Sequence, residues 1–263
     1  MKKAIRYSAL AIMLYAVFLF VLVPADRVYA VLKEKAPLPV SLYQVNGSVW
    51  NGGATVAMMG TQRLEFLTWE LEPLALLLGR LEIALGFSKN DGKMNVTAGR
   101  SLLGDYYLRD ADASFPAVEL ESMLSPMKLG LSGNITASLK EMRIAGKQLS
   151  AVEGTLMWDK AGLISSADNP VGSFGIDFAT TEEGIKGVLK DSGGPLQADG
   201  ILVLKPDGSY QLTASFTPRD AGRDDIKQAL RFLGTPDPAG KVSVSKTGNL
   251  QLEKYLPFIS SSG

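Results

Sequence analysis

Histidine and cysteine are both absent from the 263 residues. Without cysteine there is no disulfide framework, thiol nucleophile or thiolate metal site. Without histidine there is no Ser-His-Asp triad, imidazole general base or ordinary zinc site, so any catalysis would have to rest on carboxylate, Lys, Tyr or Ser groups. A surplus of charge is missing too: Lys plus Arg and Asp plus Glu each total 27. A neutral chain with no basic stripe beyond its N-terminal tip has nothing to concentrate nucleic acid, and no nucleic-acid partner is expected. Apolar residues make up 46% of the chain, enough for a packed core rather than a disordered tether.

What is present begins with a run free of charge, Tyr7 to Ala25, directly behind Lys2, Lys3 and Arg6. At the helical rise of 1.5 Å per residue it would cover about 28 Å, close to the thickness of a bilayer hydrocarbon core. The run predicts a single transmembrane helix over residues 7–25, with a short cytoplasmic tail over 1–6 and a domain outside the cytoplasm over 26–263. A cleavable signal peptide is the alternative, since Val28-Tyr29-Ala30 has the small-residue pattern a signal peptidase accepts; Pro24, Asp26 and Arg27, lying between the run and Ala30, favour the anchor. Basic residues flank both ends, Arg27, Lys33 and Lys35 following the run. Orientation therefore rests on the tail being short while a long C-terminal domain translocates largely regardless of charge. Val28, Val31 and Leu32 share a helical face after the run, which suggests a brief helix along the interface, stopped by Pro37 and Pro39.

From there the texture is β. Short β-prone runs separated by Gly, Asn and Asp cover Val40–Val49, Ala54–Met59, Glu65–Leu71, Leu81–Phe87, Lys93–Ala98 and Asp105–Ala113. The clearest hairpin joins Ile201–Leu204 to Tyr210–Phe216 through Pro206-Asp207-Gly208. In its second arm Tyr210, Leu212, Ala214 and Phe216 alternate with polar residues, and that apolar face is expected to lie under another sheet or a helix. Helices are predicted from Pro73 to Leu78, from Pro116 toward Leu124 and from Asp224 through IKQALRFL to Gly234. The fold class is mainly β: a single N-terminal transmembrane helix, then curved antiparallel sheets, sandwich or groove-like, with a few short helices. Val45-Asn46-Gly47-Ser48-Val49-Trp50-Asn51 faintly echoes Val152 to Asp159, which leaves open two similar halves joined near residue 150.

Catalytic signatures appear only in fragments. Ser125-x-x-Lys128, Ser132-x-Asn134 and Lys246-Thr247-Gly248 are pieces of the penicillin-recognising serine-enzyme pattern, but Gly130 and Gly133 would break the helix that pattern needs, and Ser243-x-x-Lys246 is a second, equally casual match. Gly234 to Lys241 has one residue too many between its glycines for a phosphate loop, and Val242 stands where a hydroxyl is required. Asp110-x-Asp112 falls along an expected strand and Asp224-Asp225 opens a helix, so solvated strand face and helix start account for both better than a cation site does. No catalytic, cofactor-binding or metal-ligating residue is assigned, no cofactor is expected, and the chain reads as a non-enzyme.

The segment Val45-Asn46-Gly47-Ser48-Val49-Trp50-Asn51-Gly52, with Trp69-x-x-x-Pro73-Leu74 leading into Leu77-Leu78-Gly79-Arg80-Leu81, resembles the type II secretion system protein N family of the Gram-negative envelope. With the N-terminal anchor and the Asp207-Gly208-Ser209-Tyr210 hairpin followed by a helix, the resemblance covers nearly the whole chain. It implies a bitopic inner-membrane protein with its bulk in the periplasm, acting with other secretion components to export folded proteins across the outer membrane. It carries no catalytic residues. Gly47 and Gly52 read as turn positions, Trp50 and Trp69 as core residues, and Pro73 as the first turn of a helix. The chain is also similar to AsmA-type envelope proteins, whose sheets form apolar grooves for lipid; that similarity implies a lipid-binding or lipid-transfer alternative.

Overall fold

A computed structural model describes the chain apart from residues 1, 36–39, 61, 103, 120–129, 147, 163–169, 221 and 251–263. It is mainly β: thirteen strands whose order in the sheet is their order in the chain, every described pair antiparallel. Two compact units divide the chain, Met1–Asn90 and Asp91–Gly263. Residue 150, where the sequence suggests a joint, lies inside a strand of the second unit. The two echoing segments also differ in form, since Trp50 stands at a turn and Trp158 in mid-strand.

The first unit opens with α1 (Lys2–Val21) and α2 (Ala25–Lys35). The uncharged run is thus not one continuous helix: α1 ends at Val21, and Pro24 makes a β-bridge with Ser48 before α2 begins. Among the described residues no helix is long and apolar enough to cross a membrane; the side chains of residues 1–6, 9 and 16 fall outside that description. α2 exists as the sequence suggests, but it packs through another face. Ala25 is buried, Val28 and Tyr29 are half-buried, and Val31 and Leu32 are exposed. The Tyr29 hydroxyl accepts the Leu42 N–H at 2.7 Å, fixing α2 along the first strand.

Four strands complete this unit: β1 (Val40–Gly47), β2 (Asn51–Met59), β3 (Gln62–Leu71) and β4 (Arg80–Lys89), with α3 (Pro73–Leu77) between the last two. Pro73 at the first turn of α3 loses nothing by lacking an N–H, and Gly79, at φ +71, lets the chain reverse into β4.

The second unit holds β5 (Gly92–Ser101), β6 (Tyr106–Pro116), β7 (Ser132–Ala145), β8 (Gln148–Gly162), β9 (Gly172–Thr181), β10 (Gly184–Asp191), β11 (Leu196–Leu204), β12 (Ser209–Pro218) and β13 (Val242–Asn249), with α4 (Asp224–Leu233) before the last strand. The helix foreseen from Pro116 is seen as helical residues 117–119, beyond which it leaves the described residues. Asp207-Gly208 forms the tight β11–β12 turn: Gly208 sits at φ +82, and the Asp207 carboxylate accepts the Ser209 N–H at 2.8 Å.

The sandwich form of the expected fold is not what this unit adopts, because its nine strands run in sequence as one meander instead of stacking as two layers. Its core sits where α4 closes one end. Ile226 and Leu230, four residues apart and each almost fully buried, pack with Ala161, Val171, Leu196 and Val242, flanked by Trp158, Phe174 and Phe216. A second, smaller cluster gathers Val152, Ile185 and Leu204, with Phe178 and Tyr210 against them.

Candidate functional site

Two features stand out, one in each unit. In the first, the Gly47-Ser48-Val49-Trp50-Asn51-Gly52 segment is the β1–β2 connection. Gly47 has φ +80, a backbone state that a side chain disfavours, and a Cβ there would press on the Asn51 carbonyl at 2.6 Å. Ser48 closes the turn twice. Its N–H donates to the Asn51 carbonyl at 2.8 Å, and its hydroxyl accepts the Asn51 N–H at 3.0 Å.

This folding leaves Trp50 facing α1. Its indole N–H donates to the Phe20 carbonyl at 2.7 Å, its ring lies 4.5 Å from that of Phe20, and its own carbonyl accepts the Leu71 N–H at 2.6 Å. The last turn of a helix has carbonyls with no intrahelical partner, and Trp50 satisfies one of them. Trp69 packs on the other side of the turn: its indole donates to the Val49 carbonyl at 3.1 Å, and a Cβ on Gly52 would meet the ring at 2.6 Å. Both tryptophans are half-buried rather than core residues, because each spends one ring edge on a backbone carbonyl at the end of the sheet. The segment is therefore a joint that fixes how the N-terminal helix leaves the β-scaffold. Sequence reasoning found these residues but not the partner, which lies 30 residues back along the chain.

The second feature is one face of the second unit. Residues directly opposite in an antiparallel pair share a face, and Met94, Ala113, Ala137, Leu156, Ile176 and Leu189 are successive partners across β5 to β10. The row continues through Gly200 and Ala214 to Val244 on β13, without one polar side chain. From Met94 to Leu189 its members are half-buried. α4 covers the Ala198–Phe216–Val242 end, so the expected cover over the β12 face is real there. Leu212, farther along β12, is only half-buried, lying outside the cluster that packs under α4.

Among the described residues the enzyme-like fragments do not assemble. Ser125 and Lys128 lie outside the described residues. Asn134 is on β7, its amide donating to the Ser114 hydroxyl, whereas Lys246, Thr247 and Gly248 are on β13 paired with Leu212, Gln211 and Tyr210; strands β8 to β12 lie between. Gly234 to Lys241 forms a loop in which one Asp237 carboxylate oxygen accepts the Ala239 and Lys241 N–H groups, each at 2.9 Å. Asp110 sits at a bulge with φ +49, and Asp224 and Asp225 pair with Lys227 and Arg223. Among the described residues no group of three or more carboxylates could hold a metal ion.

Asp191, with its side chain largely covered, accepts Arg219 Nη1 at 2.8 Å and the N–H groups of Gly193 and Ala198. The Arg219 guanidinium hydrogen bond is the main cause holding its pKa below the usual carboxylate range. It is a latch between the β10–β11 turn and the end of β12.

The described residues define a mainly β protein with an apolar helix docked at one strand turn. The family model described as "Type II secretion system (T2SS), protein N" matches residues 39–245, and the chain belongs to that family. It is 28% identical to the type II secretion system protein N of Vibrio cholerae over 95% of this chain and the whole of that protein, and 27% identical to the protein of the same name from Aeromonas hydrophila over the same shares. No solved structure matches it. A likeness to AsmA-type proteins is not shown by these matches.

Proposed function

We propose that the protein is an inner-membrane-anchored component of the type II secretion pathway: residues 1–6 cytoplasmic, the α1 part of the uncharged run 7–25 as the span, and the β-scaffold in the periplasm. There it assists export of folded proteins across the outer membrane through contacts with other secretion components, without catalysis. The observation that carries the reading is the Trp50 joint, formed by the family's own segment and gripping the end of a helix whose large apolar side chains point outward along its length, from Leu10 through Phe18 to Leu22. The described side chains of α1 by themselves do not make up a span; the full uncharged run in the sequence supports it. Protease added to spheroplasts should digest the β-scaffold while the protein stays with the membrane fraction, and a null strain should retain secreted proteins in the periplasm. A full-length soluble species starting at Val31 would instead establish a cleaved signal peptide. Normal export from the null strain would remove the secretion role.

The apolar row across β5 to β13 favours a second reading, in which this face takes up lipid acyl chains. A half-buried apolar strip along one sheet suits a ligand with an apolar tail better than it suits water. Mass spectrometry of the purified protein should find bound phospholipid if this reading holds; a lipid-free protein would leave the closed interaction module.

A further inference from the structure

The shortest helix of the first unit is built inside out. In α3 and its flanks the small Ala75 is buried, while Leu74 is 70% exposed, Leu76 45%, Leu78 69% and Leu81 52%. A surface helix ordinarily turns its large apolar residues inward and its polar ones out. Among the described side chains of this stretch these four leucines, which would gain most from leaving water, face it, concentrated within eight positions of sequence.

Their location follows from Trp50. Its carbonyl holds Leu71, two residues before Pro73, and its indole holds Phe20 in the last turn of α1. The lead-in to α3 and the exit of α1 are therefore fastened to one residue, at one end of the β1–β4 sheet. Phe20, Val21 and Leu22 at that exit are exposed and apolar as well. α2 starts at this end and runs the other way, reaching Leu42 through Tyr29, so it does not cover α3. The opposite end of β3, at Arg63, is about 26 Å away along the strand.

We propose that Leu74, Leu76, Leu78 and Leu81 form a membrane-interface foot: α3 lies in the headgroup and upper acyl region beside the exit of α1 and sets the tilt of the first unit on the bilayer. The proposal rests on the anchor reading, since α1 decides where the bilayer is. Its chemistry is that of an interfacial element. The leucines enter the apolar boundary, Trp50 sits at the level aromatic side chains favour, and Glu72 and Arg80, both exposed and flanking the leucines, stay with the headgroups.

The natural absence of cysteine makes the test direct. Single-cysteine variants of the full-length chain, Leu74→Cys, Leu78→Cys, Met13→Cys and Arg63→Cys, are labelled with an environment-sensitive fluorophore. They are then reconstituted in vesicles of phosphatidylethanolamine and phosphatidylglycerol with and without doxyl-labelled lipid. All four positions are exposed, so the label should leave the fold intact, as circular dichroism checks. Labels at 13, 74 and 78 should be quenched at least twofold by the doxyl lipid, and the label at 63 should not. If position 13 is quenched while 74 and 78 behave like 63, the anchor stands and the foot is wrong. If position 13 is not quenched, the anchor reading fails and the foot fails with it. In a further variant, Leu74→Asp with Leu81→Asp, the label at 78 should lose its quenching while the label at 13 keeps it. Retained quenching at 78 would show that these leucines do not hold α3 at the membrane.

Discussion

The Trp50 indole donates to the Phe20 carbonyl at 2.7 Å, with the two rings 4.5 Å apart and inclined at 51°. One side chain thereby ties the end of the N-terminal helix to the first turn of the β-scaffold, and the same residue's carbonyl holds the start of the α3 segment.

Replacing Trp50 by Phe should keep most of the ring contact and lose the hydrogen bond, at about 1 kcal/mol. Trp50→Ala should cost about 2 kcal/mol, below the 3 to 5 usual for a fully buried indole, because the ring is half-exposed. Thermal unfolding in detergent measures both. Protease sensitivity at residues 22–24 should rise in the alanine variant before the rest of the domain becomes sensitive. Equal sensitivity throughout would mean that Trp50 supports the whole unit rather than the joint.

Gly52→Ala should destabilise the first unit by more than 2 kcal/mol. The new methyl would meet not only the Trp69 ring at 2.6 Å but also the carbonyls of Asn46 and Ser48 at 2.7 Å, and backbone atoms cannot step aside cheaply. Adding Trp69→Ala to it should therefore fail to restore stability. Recovery in the double variant, read from urea unfolding, would show that the ring alone was the obstacle.

Leu230→Asp should unfold the second unit, since it would place an unpaired charge in the core under α4 at a cost comparable to a domain's net stability of about 5 to 15 kcal/mol. Leu212→Asp, on the half-exposed part of the apolar face, should leave a folded, protease-resistant domain. If wild type carries phospholipid and Leu212→Asp is folded but lipid-free, the face is a lipid site; if neither carries lipid, it is not. Unfolding of Leu212→Asp would mean that this face is closed after all.

Asp191, whose side chain is largely covered, contributes a pH dependence. Its folded pKa lies below the unfolded one, chiefly through Arg219, so its stabilisation is complete above the ordinary carboxylate range near 4 and is lost as pH falls through the depressed value. Asp191→Asn should lower stability at neutral pH, because Arg219 loses its charged partner and one of the Gly193 and Ala198 N–H groups its acceptor. It should also flatten the loss of thermal stability on acidification. An unchanged acid profile would place the main titrating group elsewhere.

The sequence by itself determined the character of each segment. Alternation along Tyr210 to Phe216, glycines at the turns and Pro73 before a short apolar stretch specify strands and helices locally, and the described elements lie close to those readings. The missing histidine and cysteine bounded the chemistry before any geometry was known. Tertiary structure alone decided what met what. Alternation says that a strand has an apolar face but not what covers it, so Leu212, read as covered, proved half-exposed while Ala214 on the same face is buried. The end of α1 at Val21 also lay beyond local pattern, since Pro24 and Ser48 are paired by contacts across the chain rather than by propensity. The roles of Trp50 and Trp69 were set in the same way: a tryptophan in a sequence announces a large apolar surface, but which carbonyl takes its one N–H is fixed only when distant segments fold together.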